Sequence, residues 1–155
     1  MKPAVLVCVL LELIAFPLLL IWVLKTNSPV AVTLLIIVCI PGAFGIAALC
    51  MTMMWNPIMR AWPPRQPGPE AVRRNFQSFS LGLLNLGLSI HVAADDEYLH
   101  LQPARLIRWM GAVSTSIPWN AMEPMAGRKA TAVKLGPHTM IGPRWCMELV
   151  SPRTD

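Results

Sequence analysis

Apolar residues fill the first third of the chain, and two long apolar runs stand out within it. The first, residues 4–24, would span about 31 Å as a helix, close to the hydrocarbon thickness of about 30 Å. The second, residues 30–55, would span about 39 Å, and its internal Pro41-Gly42 favours a kink or a tilt. Residues 25–29 between them are polar and end in a proline. The pattern therefore predicts a transmembrane hairpin over residues 1–56.

A proline-rich stretch follows this hairpin. The segment "PIMRAWPPRQPGP", residues 57–69, contains five prolines and one glycine. Proline fixes φ and lacks an amide donor, so neither a regular helix nor a sheet suits this composition. We predict a semi-rigid extended linker over residues 57–71, at a domain boundary.

From residue 72 the alternation of apolar and polar positions has the period of two that is typical of strands. One predicted core face combines Leu86, Leu88, Ile90 and Val92. An acidic turn predicts a hairpin that is symmetric about Asp95-Asp96, with Val92 opposite Leu99 and His91 opposite His100.

The rest of the chain continues the strand pattern in short runs that glycine and proline separate. The segment "ARLIRWMGAV" fits either a short helical turn or an irregular strand. Further strands are predicted at "TSIPW", "KATAVKL", "HTMI" and "RWCMELV". Residues 72–155 are therefore predicted to form a small, mostly-β domain.

Composition and charge predict where the protein is located in the cell. Hydrophobic residues make up 55% of the chain and charged residues only 14%, whereas roughly a quarter of residues are charged in soluble proteins. Cationic residues flank the apolar runs most densely after the second one, which predicts a multi-pass protein of the inner (cytoplasmic) membrane with both termini cytoplasmic. Four arginines there are predicted to contact anionic lipids: Arg60, Arg65, Arg73 and Arg74.

The β segment carries a motif that resembles a known family. The hairpin "HVAADDEYLHLQP", an arginine-bearing stretch and then "SIPWNAME" resemble bacterial pleckstrin-homology-like domains, which are often attached to transmembrane hairpins. In that family an Ile-Pro-Trp begins a central strand, and Ile117, Pro118 and Trp119 match it, as do Asn120 and Met122. The resemblance implies a PH-like barrel or sandwich of short antiparallel strands with a binding or scaffolding role and no catalytic residues.

Two consequences of this motif are open to test. Such domains commonly close with an amphipathic helix, whereas "RWCMELV" is predicted here as a strand. Trp119 is expected to fill the core beside Ile117, because a tryptophan buries much apolar area in a small domain. A platform for ligand stacking and a contact with the membrane surface are the alternative roles of this ring.

Two groups of residues raise the question of chemistry. His91 and His100, as a cross-strand pair, could share a metal ion, but two exposed polar positions are the simpler interpretation. Glu12 lies within the first apolar run, where a carboxyl is expected to be protonated or to have a polar partner. That partner could be the backbone beside Pro41 or a second copy of the chain, and proton translocation is a third interpretation.

Other chemistry is not indicated. The four cysteines form no C-x-x-C pair, no nucleophile has a plausible base nearby, and no glycine-rich phosphate loop is present. We therefore predict no enzyme activity, no cofactor, no bound metal and no nucleic-acid partner.

These observations predict a membrane-anchored binding or scaffolding protein that presents a small β domain at the cytoplasmic face. Its expected partners are the lipid bilayer and either a membrane-associated protein or a second copy of the chain. A small pore-forming or holin-like protein that acts through the hairpin is the alternative.

Overall fold

Two long helices and a seven-stranded sheet make up most of this computed structural model, which describes residues 3–125 and 131–150. Before Leu13 only the side chain of Val7 is described, so the predicted contact of Glu12 lies outside the described residues. The chain divides into two units, Met1–Met53 and Met54–Asp155.

The first unit is a helical hairpin. Helix α1 spans Pro3–Thr26 and α2 spans Pro29–Cys50, close to the two predicted apolar helices. The two helices pack against each other. The buried residues of α2 are small, which permits a close approach between helices: Ala31, Gly42 and Gly45.

The helical path continues from α2 through π-helical residues Met51–Trp55 into α3, Asn56–Met59. The resulting helix spans Pro29–Met59. Among the helices within residues 3–125 and 131–150, it is the one that is long and apolar enough to cross a membrane. Only 17% of its 18-residue apolar stretch is buried, whereas the core helix of a soluble protein is mostly buried. The apolar stretch searched in α1 is shorter, Leu13–Thr26, so two spans are not established.

The second unit contains a curled antiparallel sheet in the order β4-β3-β2-β1-β7-β6-β5. Helix α4, Arg105–Trp109, separates β3 from β4, so "ARLIRWMGAV" is resolved as a helical turn. The strands are β1 (Val72–Leu81), β2 (Leu84–Ala94), β3 (Tyr98–Pro103), β4 (Thr115–Pro118), β5 (Glu123–Pro124), β6 (Ala132–Leu135) and β7 (His138–Ile141).

The inner face of this sheet is the core of the unit. Its side chains come from β1, β2, β3, β4, β6 and β7. The fully buried ones include Phe79, Ile90, Leu99, Leu101, Ile117, Leu135 and Met140. The period of two therefore identified the core strands.

The register of the β2–β3 hairpin differs from the predicted one by two residues. Val92 pairs with Leu101 rather than Leu99, and His91 pairs with Gln102 rather than His100. The turn is centred one residue later because the Asp95 carboxylate accepts hydrogen bonds from the amides two and three residues on. A two-residue shift keeps every side chain on its face, so the apolar segregation is preserved.

The prediction that Leu88 joins the core is wrong. The β1–β2 pairing is irregular between Arg74 and Phe79, and Leu88 is 69% exposed. Both strands contain a non-glycine residue at positive φ, Phe76 at 53° and Leu88 at 48°. These bulges turn the two side chains away from the core.

The predicted strand "RWCMELV" is also wrong. Residues Arg144–Met147 form α5, and Glu148–Val150 continue it as a 3-10 turn. Pro143 lies just before α5, and its carbonyl accepts the amides of Cys146 and Met147. The described residues therefore end in a short helix that buries Cys146, Met147 and Val150. Burial raises the pKa of the Cys146 thiol to about 12.

Candidate functional site

Residues 62–68 of the proline-rich linker are hydrogen-bonded to side chains of β4 and of the β2–β3 turn. Thr115 Oγ1 donates to the carbonyl of Trp62 at 2.7 Å. The amide of Arg65 donates to Ser116 Oγ at 2.7 Å, and that of Gly68 donates to Asp95 Oδ2 at 3.2 Å. The linker backbone therefore obtains from side chains the hydrogen bonds that its prolines prevent it from making within a strand.

Two of these side chains belong to a hydrogen-bonded chain of Asp95, His100 and Ser116. His100 Nε2 lies 2.8 Å from Asp95 Oδ2, and His100 Nδ1 lies 2.8 Å from Ser116 Oγ. His100 and Ser116 are 6% and 3% exposed. Because a carboxylate only accepts, the network places a proton on Nε2, and the Ser116 oxygen lies within hydrogen-bond distance of both Nδ1 and, at 3.5 Å, the Arg65 carbonyl.

Asp95 is the charged end of this series of hydrogen bonds. Burial alone would raise its pKa, but hydrogen bonds from His100 and from the amides of Tyr98, Gly68 and Glu97 outweigh that effect. Together they lower the pKa of Asp95 to about 2. The carboxylate is therefore ionised at neutral pH and links the β2–β3 turn to both the linker and His100.

The order of carboxylate, imidazole and hydroxyl is that of a hydrolase triad, but the geometry favours a structural role. The Ser116 oxygen is buried and already accepts the Arg65 amide. A nucleophile needs its oxygen directed at a space that substrate can enter. We therefore call Asp95, His100 and Ser116 the linker clamp.

The predicted Ile-Pro-Trp motif is divided between core and surface. Ile117 is fully buried, whereas Trp119 is only partly buried and begins a 3-10 turn after β4 ends at Pro118. Its indole Nε1 donates to the carbonyl of Asp95 at 2.8 Å, which anchors the ring over the β2–β3 turn. The expectation that Trp119 fills the core is therefore wrong, whereas its neighbour Ile117 is part of the core.

The two predicted histidines are not directly opposite each other. His100 lies opposite Ala93 in the clamp, and His91 packs its ring edge against Phe76 with centroids 4.9 Å apart. Within residues 3–125 and 131–150, no group of three or more metal-ligating side chains is close enough to hold an ion.

The four predicted lipid-contacting arginines are exposed, and two of them stack on aromatic rings. Arg65 lies 4.7 Å from the ring centre of Tyr98, and Arg74 lies 4.9 Å from that of Trp145. Cation–π contacts leave the far side of a guanidinium open to further partners. Their contact with lipid stays a prediction.

Sequence reasoning missed an open groove between β1, β2 and the end of β7. Phe76 is 58% exposed, Leu88 69% and Ile141 42%, and polar groups of Gln77 and Asn85 share the lining. The groove has a volume of about 490 Å³. We call it the bulge groove. Gly87, which lies inside the predicted strand, was the available signal, since a glycine inside a strand often marks a bulge.

Comparison of the chain with protein-family models, curated proteins and solved structures found no match. What the fold establishes is a helical N-terminal part followed by a curled antiparallel sheet of seven strands. Resemblance to pleckstrin-homology-like domains rests on the motif residues and is loosely compatible with this architecture.

Proposed function

We propose that this protein is a membrane-anchored binding module that presents its β unit to a partner at the cytoplasmic face. Support for the anchor comes from the apolar surface of the helical hairpin. Large side chains such as Leu13, Leu24 and Val30 are 67%, 75% and 60% exposed. Such a surface is unfavourable in water and suits a bilayer. The arginines after the second helix favour a cytoplasmic β unit.

The β unit is proposed to be PH-like. Its seven antiparallel strands curl, and a short helix follows the last of them, as the resemblance leads one to expect. Helix α5 has four residues, so it closes less of the sheet than a long amphipathic helix would. A fold of this kind supplies a scaffold for binding surfaces and does not by itself define a ligand.

The bulge groove is the single observation that carries the binding proposal. Positive φ costs a bulky residue on the order of 1–2 kcal/mol, and here Phe76 and Leu88 both adopt it while exposing apolar surface. Folding alone gains little from either feature. Strained backbone persists where it serves a function, and here it places apolar side chains on both sides of a groove.

The chemistry of the groove suits a segment of a membrane-associated protein. The side chains of Phe76, Leu88 and Ile141 offer apolar contact, and Asn85 offers an amide group; the Gln77 amide already bonds to the Asn75 carbonyl and the Trp145 indole. Mixed linings of this kind are typical of protein-binding surfaces. A second copy of the chain as the occupant is an outcome that the following experiment distinguishes.

We expect Leu88→Asn to separate stability from binding. Asparagine tolerates positive φ better than leucine, and the exposed Leu88 side chain contributes little burial. The β unit should therefore be more stable by about 0.5–1 kcal/mol, measured by denaturation of the full chain in detergent. Crosslinking in native membranes should capture less of the partner, because an apolar anchor is removed.

Leu83→Asn is the matched control. Leu83 is 95% exposed at the tip of the β1–β2 hairpin, outside the bulge groove. This control should capture as much partner as the natural chain. Equal capture by Leu88→Asn and the natural chain would contradict the role of the groove. Crosslinks that contain only copies of this chain would indicate self-association.

A further inference from the structure

Helix α4 exposes apolar and cationic side chains on the same side. At about 100° per residue, Arg105, Trp109 and Leu106 follow one another around the helix, with Arg108 on the other side of Arg105. Leu106 is 53% exposed and Trp109 77%, and both arginines are exposed. Ile107 lies on the opposite side and is partly buried.

The charged residues near α4 in the sequence have one sign. Between residues 98 and 122 the chain contains no Asp or Glu, and its only Lys or Arg residues are Arg105 and Arg108. A tryptophan and a leucine next to two arginines match the interface of an anionic bilayer, where indole rings lie at the headgroup level. An acidic protein surface would use the arginines but would gain less from the exposed leucine.

The residues just after α4 are hydrogen-bonded to Trp55, the last residue of the second apolar run, and to Asn56, which follows it. Asn56 Nδ2 donates to the carbonyl of Gly111 at 2.8 Å, and Asn56 Oδ1 accepts the amide of Val113 at 3.0 Å. Trp55 Nε1 donates to the carbonyl of Val113 at 2.9 Å. Asn56 and Trp55 are 4% and 1% exposed, so these bonds are shielded from water.

We propose that α4 is a membrane-surface element whose arginines bind anionic lipid headgroups while Leu106 and Trp109 enter the interface. The inference rests on the proposed membrane anchor. If the second apolar run crosses the bilayer, its last residues lie at the leaflet surface, and their hydrogen bonds hold α4 there. This site is distinct from the linker arginines and from the bulge groove.

Hydrogen exchange tests this proposal on the full chain in lipid nanodiscs. Discs of phosphatidylcholine alone are compared with discs that also contain anionic phosphatidylglycerol. The amides of Arg108, Met110, Gly111 and Ala112, which form the helical bonds of α4, should exchange about tenfold more slowly in anionic discs, since each arginine near the surface contributes attraction. High salt should remove the difference, because it screens exposed charges.

Matched variants assign the effect to α4. Arg108→Glu should abolish the difference between the two discs. Lys134→Glu changes the net charge equally at an exposed site on β6 and should keep it. Arg108→Lys retains the charge and should also keep it. Unchanged exchange of the β2–β3 amides in each variant shows that the fold is intact.

The outcomes separate this proposal from the one on which it rests. A chain that fails to remain in the discs after alkaline extraction would overturn the membrane anchor and this inference with it. An integrated chain whose α4 amides exchange equally in both discs would overturn this inference alone. Protection that appears only in native membranes with a crosslinked protein at α4 would also overturn it, in favour of a protein interface.

Discussion

We expect Phe79→Ala to lower the free energy of unfolding of the β unit by about 3–5 kcal/mol, because it leaves a cavity at a fully buried aromatic position. Phe79 is 1% exposed. A Cβ atom added at Gly142 would lie 2.5 Å from Phe79 Cε1, so the ring is tightly packed. Chemical denaturation of the full chain in detergent, followed by tryptophan fluorescence, measures the loss.

Phe76→Ala is the control for this experiment. Phe76 precedes Phe79 by three residues in the same strand but is 58% exposed. Its truncation should cost no more than about 1 kcal/mol, since little buried area is lost. Equal losses at the two positions would contradict the core assigned to β1 and the bulge that turns Phe76 outwards.

The second large effect is expected at the linker clamp, where Asp95→Ala should cost about 3 kcal/mol. The change removes the acceptor for His100 and for the amides of Gly68, Glu97 and Tyr98. His100 is buried, so its ring would lose a partner that water cannot easily replace. Asp96→Ala, at an exposed position in the same turn, should change stability by less than about 0.5 kcal/mol.

The pH dependence of unfolding identifies the carboxylate itself. The pKa of Asp95 is lowered from 3.8 to about 2 in the folded protein, so folding favours the ionised form. This stabilisation is complete above about pH 5 and is lost as the pH falls through 4 towards 2. It should amount to about 1–2 kcal/mol after solvent screening. Asp95→Ala should lose this part of the acid dependence, and an unchanged acid profile would contradict the clamp.

The elements that sequence predicted best are those with strong periodicity. The two apolar helices and the strands over residues 72–103 follow directly from the distribution of apolar side chains. Alternation also identified which faces of β2 and β3 are buried, even though their register was displaced by two residues. Periodicity determines faces, whereas the turn determines register.

Local hydrogen bonds explain why two of the predicted features differ from the structure. The Asp95 carboxylate moved the centre of the turn, and α5 begins immediately after Pro143. Neither effect changes the apolar pattern on which the predictions depended. Bulges at Phe76 and Leu88 also have no period of their own, so the exposed groove between them was not predictable from alternation.

The clamp was hidden from sequence reasoning for a different reason. Asp95, His100 and Ser116 lie in three separate predicted segments, and the linker residues that they hold come from a fourth. His100 was predicted to be exposed because a polar residue in a half-buried strand usually faces water. Its two ring nitrogens are satisfied by Asp95 and Ser116, which allows it to be buried, and these two side chains also bind the linker backbone.

The most direct test of the membrane-anchored binding module is a crosslinking comparison in native membranes. The full chain is compared with a chain that lacks residues 73–155 and keeps the helical hairpin and the linker. We predict that both remain in the membrane after alkaline extraction and that only the full chain captures a partner protein. An unchanged set of partners, or self-crosslinks through the hairpin alone in both chains, would contradict this account and favour a pore-forming hairpin.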